Sequence, residues 1–323
     1  MKTIIKELKD KAILFEQNVS LKEKTWIKTG GVVSLWIVPN NEDQLKSTIT
    51  ILLENNRSFE LVGQTSNIYY LDDYNPAIIV STIKVNEIEE KDDFIKCGCG
   101  ASVVKLSRHC VEKGYIGYCG LVNLPGTVGA AIYNSSSCFD CSISEHVVDA
   151  SFFNMETKQI ETLMCDDFGF TYRNSKLKNK ELKGVLLSVR LNKKQGDPVT
   201  EKAKADEATR IRKETQEPGA YTLGSCYAGL TPKDDIRNTI CRIWGGGKLL
   251  KLLGLYTKKR YIKILLSIYG YRDLIDFVSP KVINTFKWLP ERPEKHEMFK
   301  RYQSFIAKAF KQPRLEIEIR NGK

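Results

Sequence analysis

The sequence predicts an α+β protein built from more than one domain. Three observations carry this. The first two hundred residues interleave short β-favouring runs with amphipathic helical stretches, and after residue 146 the pattern changes to paired strands. A polar segment with Gly and Pro, Lys193–Val199, then separates these from a basic, helix-rich remainder. With 323 residues the chain exceeds one ordinary core, so two or three domains are expected.

The elements follow in order. Ser34–Val38 is a β-favouring run stopped by Pro39. Asn41 with Gln44 three residues on forms a helix start, and Leu45, Ile49, Leu52 and Leu53 recur at helical spacing. Phe59–Gly63 reads as a strand entering a small-residue turn, Ala77–Ile83 as a buried strand and Phe94–Cys99 as another. A helix starts at Ser102, turns Val103, Leu106 and Cys110 inward, and ends at Gly114. Val147–Phe153 and Lys158–Met164 form a hairpin, and Gly184–Leu191 adds a strand. Beyond the linker, Thr200 is placed to cap a polar helix reaching about Thr215. Leu249–Ile268 suits basic amphipathic helices broken near Gly254, and a helix carrying Met298, Tyr302, Phe305, Ile306 and Phe310 stops before Pro313. Leu315–Arg320 alternates as a strand.

Composition narrows the class. A 42% hydrophobic fraction excludes a disordered chain. No apolar run approaches the roughly 18–20 residues that span a bilayer. The opening MKTIIKELKDKAILF mixes charges into its apolar positions and is not read as a secretory signal. Nine cysteines without repeated Cys-x-x-Cys pairs suit reduced thiols in a cytosol, and the three histidines lack ligand spacing, so no metal site is expected. The net charge of +11 lies wholly in the last third: 26 Lys and Arg against 14 Asp and Glu follow residue 200. That asymmetry suits either an anionic partner or a solvated basic face. Segment 241–270 holds seven Lys and Arg and no acid, a possible contact for a membrane surface, whereas no nucleic-acid motif accompanies it.

Two loops carry potential chemistry. Gly63-Gln64-Thr65-Ser66-Asn67 follows a strand, where small residues either free backbone N–H groups for an anion or simply make a tight turn. Leu124-Pro125-Gly126-Thr127-Val128-Gly129-Ala130-Ala131 combines a fixed entry with two glycines, and a helix starting there would offer N–H groups to a phosphate. It has neither the Lys-Ser/Thr of a P-loop nor the glycine spacing of a Rossmann turn.

With Lys28-Thr29-Gly30-Gly31, Phe168–Ser175 (which contains Tyr172-Arg173-Asn174-Ser175), Gly224-Ser225 and Leu315–Arg320, these loops stand in an order that resembles the UDP-N-acetylenolpyruvoylglucosamine reductase (MurB) family over roughly residues 18–230 and 314–320. The resemblance implies a two-lobed FAD-binding domain of the PCMH/vanillyl-alcohol-oxidase type plus a C-terminal α+β substrate-binding domain. The expected limits are 1–85 and 86–195 for the lobes, 196–313 for the substrate domain and 314–323 for a strand returning to the active site. It implies non-covalent FAD, NADPH as co-substrate and hydride transfer to an enolpyruvyl UDP-sugar, in a cytoplasmic monomer. Gly63, Gln64, Thr65, Ser66, Asn67, Pro125, Gly126, Thr127 and Gly129 would hold the cofactor, with Ile143 beside its ring system.

Hydride addition to an enolpyruvate develops enolate charge, which a fixed cation and a hydrogen-bonded acid stabilise. By resemblance Arg173 is that cation, Glu318 that acid, favoured in its neutral form by burial, and Ser225 the proton donor. Without the resemblance Arg173 reads as a surface ion-pair partner, Glu316 and Glu318 as a solvent face, and Ser225 as turn filler. Tyr172, Arg210, Arg212, Lys213 and Tyr221 are candidate substrate contacts.

The pattern is broken at three places. Thr65 replaces a glycine, and a β-branched residue disfavours the left-handed backbone expected there. Ser135–Asp140 replaces a Gly-Ala-Tyr-Gly turn, and Ala228-Gly229-Leu230 replaces a basic-Asn-Pro triplet. A related enzyme acting on another nucleotide sugar for a surface polysaccharide, a flavin oxidase tethered through Cys138, and a flavin-free basic membrane-peripheral protein stay open as alternatives.

Overall fold

The computed structural model describes residues 1–217 and 221–322. The chain divides into two compact units: Met1–Ser20, Val32–Thr65 and Asn75–Arg210 form one, and Leu21–Gly31, Ser66–Tyr74 and the chain from Ile211 onward form the other. The expected limits at 85 and 195 follow chain order, whereas the observed division moves two short N-terminal segments into the second unit. Lys323, the last residue of the expected 314–323 segment, lies outside the described residues.

Among the described residues the first unit contains two main sheets and one short two-stranded pair. One runs in the order Leu14–Ser20, Val32–Val38, Ile78–Ser81, Glu60–Val62, antiparallel in its first pair and parallel after it. The parallel crossover needs a helix, and Glu42–Glu54 supplies it. Asn41 Oδ1 accepts from Gln44 N at 2.9 Å and Gln44 Oε1 accepts from Asn40 N at 2.9 Å, so the cap read from the sequence forms. Leu45, Ile49 and Leu52 of this helix are buried with Leu35, Ile37 and Val80 of the sheet. Each fully buried aliphatic side chain contributes about 1.5–3 kcal/mol.

The second sheet is antiparallel throughout, in the order Ile160–Met164, Val147–Asn154, Gly184–Asn192, Phe94–Gly98, Ile88–Glu90. The helix Val103–Lys113 starts at Ser102, whose side chain accepts from Lys105 N, and stops at Gly114 with φ +78°. Pro198–Thr215 forms the helix expected after the linker, but the cap is Asp197, which accepts from Thr200 N and Oγ1 at 2.8 and 2.6 Å. A carboxylate at the start of a helix outcompetes a hydroxyl three residues later because it also answers the helix dipole.

The second unit is held by an aromatic cluster. Phe286 meets Trp288 and Phe299 with ring centroids at 4.9 and 5.1 Å, and Phe299, Tyr302 and Phe305 of the helix Lys295–Ala309 are fully buried. Ile27 and Tyr69 join this core, which is why the segments that carry them leave the first unit. The strand Ile68–Tyr70 pairs in parallel with Glu318–Arg320, and Arg314–Leu315 pairs with Tyr227–Ala228. The C-terminal run is therefore not one strand: Ile317 is buried and bends the chain between two different partners.

Asp72 ties the imported segments down. Its carboxylate meets Lys22 Nζ at 2.8 Å, His296 Nε2 at 3.0 Å and the Gly30 N–H at 3.0 Å. Burial opposes its charge, but hydrogen bonds from Lys22, Gly30 and His296 outweigh burial and hold the carboxyl at about 2 rather than its ordinary 3.8. A lowered carboxyl stabilises the fold above its unfolded value and loses that contribution as the pH falls through the folded one. Allowing for partial exposure, Asp72→Asn should lower stability at pH 7 by about 1–2 kcal/mol. The gap from wild type, measured by denaturant titration, should close between pH 4 and pH 2; a gap that persists at pH 2 would show that the charge is not the cause.

Candidate functional site

The first unit brings three of the sequence motifs together. Loop 63–65 leaves the strand Glu60–Val62, and Thr127 caps the short helix Val128–Tyr133, its Oγ1 accepting from Ala130 N. Gly126 N donates to Gln64 Oε1 at 3.0 Å. A Cβ placed on Gly63 would lie 2.4 Å from Thr127 Oγ1, so glycine is what lets the two loops touch. Gly129 serves differently from the expectation that it opens space for a ligand. A Cβ there would lie 2.9 Å from Cys99 O, so Gly129 seats the helix on the neighbouring strand end.

The expectation of free N–H groups at this helix start is also corrected. Val128 N donates to Ala101 O and Gly129 N to Cys99 O, both at 2.8 Å, and Ala130 N is taken by Thr127. The first turn is satisfied by the protein itself, because Val128 and Gly129 complete a bridge to residues 99–101. Polar side chains of the cradle are left to meet a cofactor. Thr65 adopts φ +55° and is buried, so this loop keeps the left-handed backbone that a β-branched residue disfavours. Ser81, fully buried at the end of its strand and paired in register with Val62, has a hydroxyl without a protein partner. A buried hydroxyl beside the loop that leaves Val62 calls for a polar ligand or a water, and the set of hydroxyls and amides here fits FAD.

The Tyr-Arg-Asn-Ser run docks on the segment after the second loop. Thr171 and Asn174 exchange backbone hydrogen bonds at 3.1 Å, which puts Tyr172 and Arg173 at a turn with Arg173 at φ +57°. Arg173 Nη2 donates to Ser137 O at 3.1 Å, and Ser175 Oγ to Tyr133 O at 2.7 Å. Lys178, which the sequence reading passed over, donates to Asn134 Oδ1 at 2.8 Å and to Arg173 O at 3.3 Å. Its signal was its place three residues after Ser175, whose Oγ accepts from Lys178 N. Tyr172 is exposed.

Residues 135–140, without the glycines expected there, still turn. Ser135, Phe139 and Asp140 all have positive φ, and Phe139-Asp140 links the paired Ser137–Cys138 and Cys141–Ser142. Two successive positive-φ residues make the hairpin turn that Asn-Gly usually fills. Ile143 is fully buried among core residues and its N donates to Ser136 O at 3.1 Å, so its side chain packs the interior, unlike the expected place beside a cofactor ring.

The second unit holds the remaining candidates apart from Arg210, which closes the first. Glu318 N donates to Asn67 O at 2.9 Å, and Asn67 Nδ2 to Glu316 O at 3.3 Å, so the end of the first loop and the last strand share an edge. Ser66 leads into this edge and is half-buried. Glu318 is half-buried rather than enclosed, and its Oε2 accepts from Arg320 Nη2 at 2.6 Å. Ser225 is exposed and precedes Cys226, whose carbonyl accepts from Glu316 N at 2.8 Å, which carries Ser225 to the same C-terminal run. Cys226 is fully buried, and burial pushes its thiol up to about 12, which makes it inert. Tyr221 lies under Lys28 Nζ at 5.5 Å, a contact that gives the Lys-Thr-Gly-Gly motif a cation the sequence reading left unassigned. Of the other basic candidates, Arg210 is bound to Glu207 through Nε and Nη2 at 2.8 and 2.7 Å, while Arg212 and Lys213 follow on the same helix.

A family model described as an FAD binding domain matches residues 33–162. The UDP-N-acetylenolpyruvoylglucosamine reductase of Caldicellulosiruptor bescii is 31% identical over 223 residues, 68% of this chain and 70% of that protein. Its counterpart from Clostridium beijerinckii is 28% identical over 210 residues, 65% and 68% of the two chains. The crystal structure of the reductase from Thermus caldophilus matches with a TM-score of 0.66 over 96% of this chain and all of that one, at 18% identity, and so shares the fold. The architecture is thus an α+β fold that contains an FAD-binding domain and is shared with that reductase. Within that class, the chain belongs to the UDP-N-acetylenolpyruvoylglucosamine reductase family.

Two substitutions test this geometry. Gly63→Ala should cost about 1–3 kcal/mol by overpacking the loops and should lower bound flavin, read by thermal melting and by the flavin absorbance of the purified protein. Asp140→Gly should instead raise stability by about 0.5–1 kcal/mol by relieving a left-handed backbone, and a fall in melting temperature would contradict that turn.

Proposed function

We propose that this protein is an FAD-dependent reductase that converts the enolpyruvyl ether of UDP-N-acetylenolpyruvoylglucosamine into the lactyl ether of UDP-N-acetylmuramate, with NADPH as reductant, for cell-wall precursor synthesis. The observation that carries the proposal is the union of three motifs in the first unit, where Gly63 lies against Thr127, Gln64 binds Gly126 and Arg173 binds Ser137. The first unit would hold the cofactor through Gln64, Thr65, Thr127 and the buried Ser81, with Pro125 and Gly126 shaping the loop. The second unit would bind the UDP-sugar, with Lys28 and Tyr221 joining Arg212 and Lys213 as contacts. Arg210 contributes less, because Glu207 already neutralises it.

Bound FAD supplies the hydride, and everything else falls to side chains. Arg173, always charged and forked, grips the enolpyruvyl carboxylate and stabilises the enolate that forms when the β-carbon is reduced. By family resemblance Glu318 would hydrogen-bond developing enolate charge as a neutral acid, which requires its release from Arg320 Nη2. Ser225 gives its proton to the α-carbon, a step open to a weakly acidic hydroxyl because an enolate is a strong base. Ser225 is exposed, as a group that must reach a substrate has to be. The enzyme works as a cytoplasmic monomer, and segment 241–270 is the part of it that would meet a membrane surface.

Anaerobic stopped-flow absorbance separates the half-reactions. In Ser225→Ala, reduction of the flavin by NADPH should keep its wild-type rate, while reoxidation by the UDP-enolpyruvyl sugar should fall by about a hundredfold or more. Unchanged reoxidation removes Ser225 from the reaction. Wild-type flavin that reoxidises only with a different enolpyruvyl nucleotide sugar would reassign the substrate.

A further inference from the structure

One part of the second unit plays no role in this chemistry and has unusual surface physics. Of eighteen large hydrophobic side chains exposed among the described residues, eight fall between Ile236 and Leu255. Ile236, Ile240, Ile243 and Trp244 recur at helical spacing along Ile236–Ile240 and the wider turn Cys241–Gly245 that extends it, and Trp244 is 61% exposed. The opposite side is anchored: Cys241 is buried, and Asn238 Nδ2 donates to Lys233 O and Ala309 O at 2.8 and 3.1 Å.

The next helix, Lys248–Leu252, contains three leucines yet buries no residue, and Leu252 is 83% exposed. Gly245, Gly246 and Gly247 hold this second helix in place. Cβ atoms on the first two would press on the Tyr261 ring at 3.0 and 3.2 Å, and one on Gly247 would lie 1.7 Å from Arg242 O. The apolar surface is therefore built by a tight turn and is not a frayed end.

Charge decides what would cover it. From Ile236 to Arg272 the chain has nine Lys and Arg and no acid. Among the described residues Arg242 finds Asp234 at 3.5 Å, while Lys248, Lys251, Lys258 and Lys259 show no ion pair. Lys259, Arg260 and Lys263 line one shallow depression with Gly254 and Leu255. A second copy docking face to face would oppose two such cationic fields, and a nucleic acid would leave the leucines and Trp244 unused. An anionic bilayer answers both features, taking the apolar side chains below its headgroups and the lysines at its surface. We infer that residues 236–260 form a docking surface for anionic phospholipid membranes, with Trp244, Leu249, Leu252 and Leu253 inserting and Lys248, Lys251, Lys258 and Lys259 meeting the headgroups.

The test uses the full-length protein and needs no turnover, so it stands or falls apart from the reductase assignment. Vesicles of phosphatidylcholine with about one third phosphatidylglycerol should bind the protein at least tenfold more tightly than pure phosphatidylcholine, and half-molar salt should weaken that binding. Trp244 emission should shift to the blue on addition of vesicles. Lys248→Glu with Lys251→Glu, and separately Leu252→Ser with Leu253→Ser, should each reduce vesicle binding about tenfold or more while leaving thermal melting unchanged, since these side chains are exposed. Equal binding to both vesicle types, no Trp244 shift, concentration-dependent self-association abolished by the leucine replacements, or duplex DNA binding that survives them would each overturn the inference.

Discussion

The contact between Gly63 and Thr127 is the constraint on which the cofactor-binding half of this molecule depends. One loop ends a strand of the parallel sheet and the other begins a short helix, and they meet because one of them lacks a side chain. That close approach lets Gln64 bind the Gly126 N–H, and it puts Thr127 where it caps the next helix. The helix in turn leads to the carbonyls of Tyr133 and Ser137, which hold Ser175 and Arg173. A chain of short-range contacts thus runs from a strand end to the guanidinium, with a backbone approach of van der Waals closeness at its root.

The second unit is organised by a different interaction. Asp72, itself in a displaced segment, sits among a lysine and a backbone N–H from residues 21–31, which sequence order would assign elsewhere, and a histidine of the C-terminal helix Lys295–Ala309. Burying a carboxylate is costly unless it is paired, and once paired it resists separation, so the imported segments are fixed by the charge they surround. The same segments supply the strand against which Glu318 is laid. Catalytic candidates from distant parts of the chain are positioned through backbone pairing, a more rigid support than side-chain packing.

Much of this was legible before the structure. Asn41, Ser102 and Gly114 mark helix ends because capping is local chemistry, and all three act as caps. The hairpin after residue 146 follows from its alternation. Other features were not legible. Thr65 and residues 135–140 seemed to forbid the turns expected of them, yet both adopt positive φ, since surrounding contacts can impose a conformation that a single residue disfavours. The helix start at Val128 looked like a phosphate site, but its N–H groups are spent on Ala101 and Cys99, carbonyls more than twenty residues away.

By itself the sequence determined most helix caps and strand runs, the basic asymmetry and the identity of the motifs, because these depend on neighbours within a few positions. Tertiary structure alone decided that residues 21–31 and 66–74 belong with the C-terminal unit, that the last strand breaks at Ile317, and that a leucine-rich helix lies outside the core. Those outcomes turn on which surfaces compete for burial and which charges find partners, and such competition is settled only when distant segments meet.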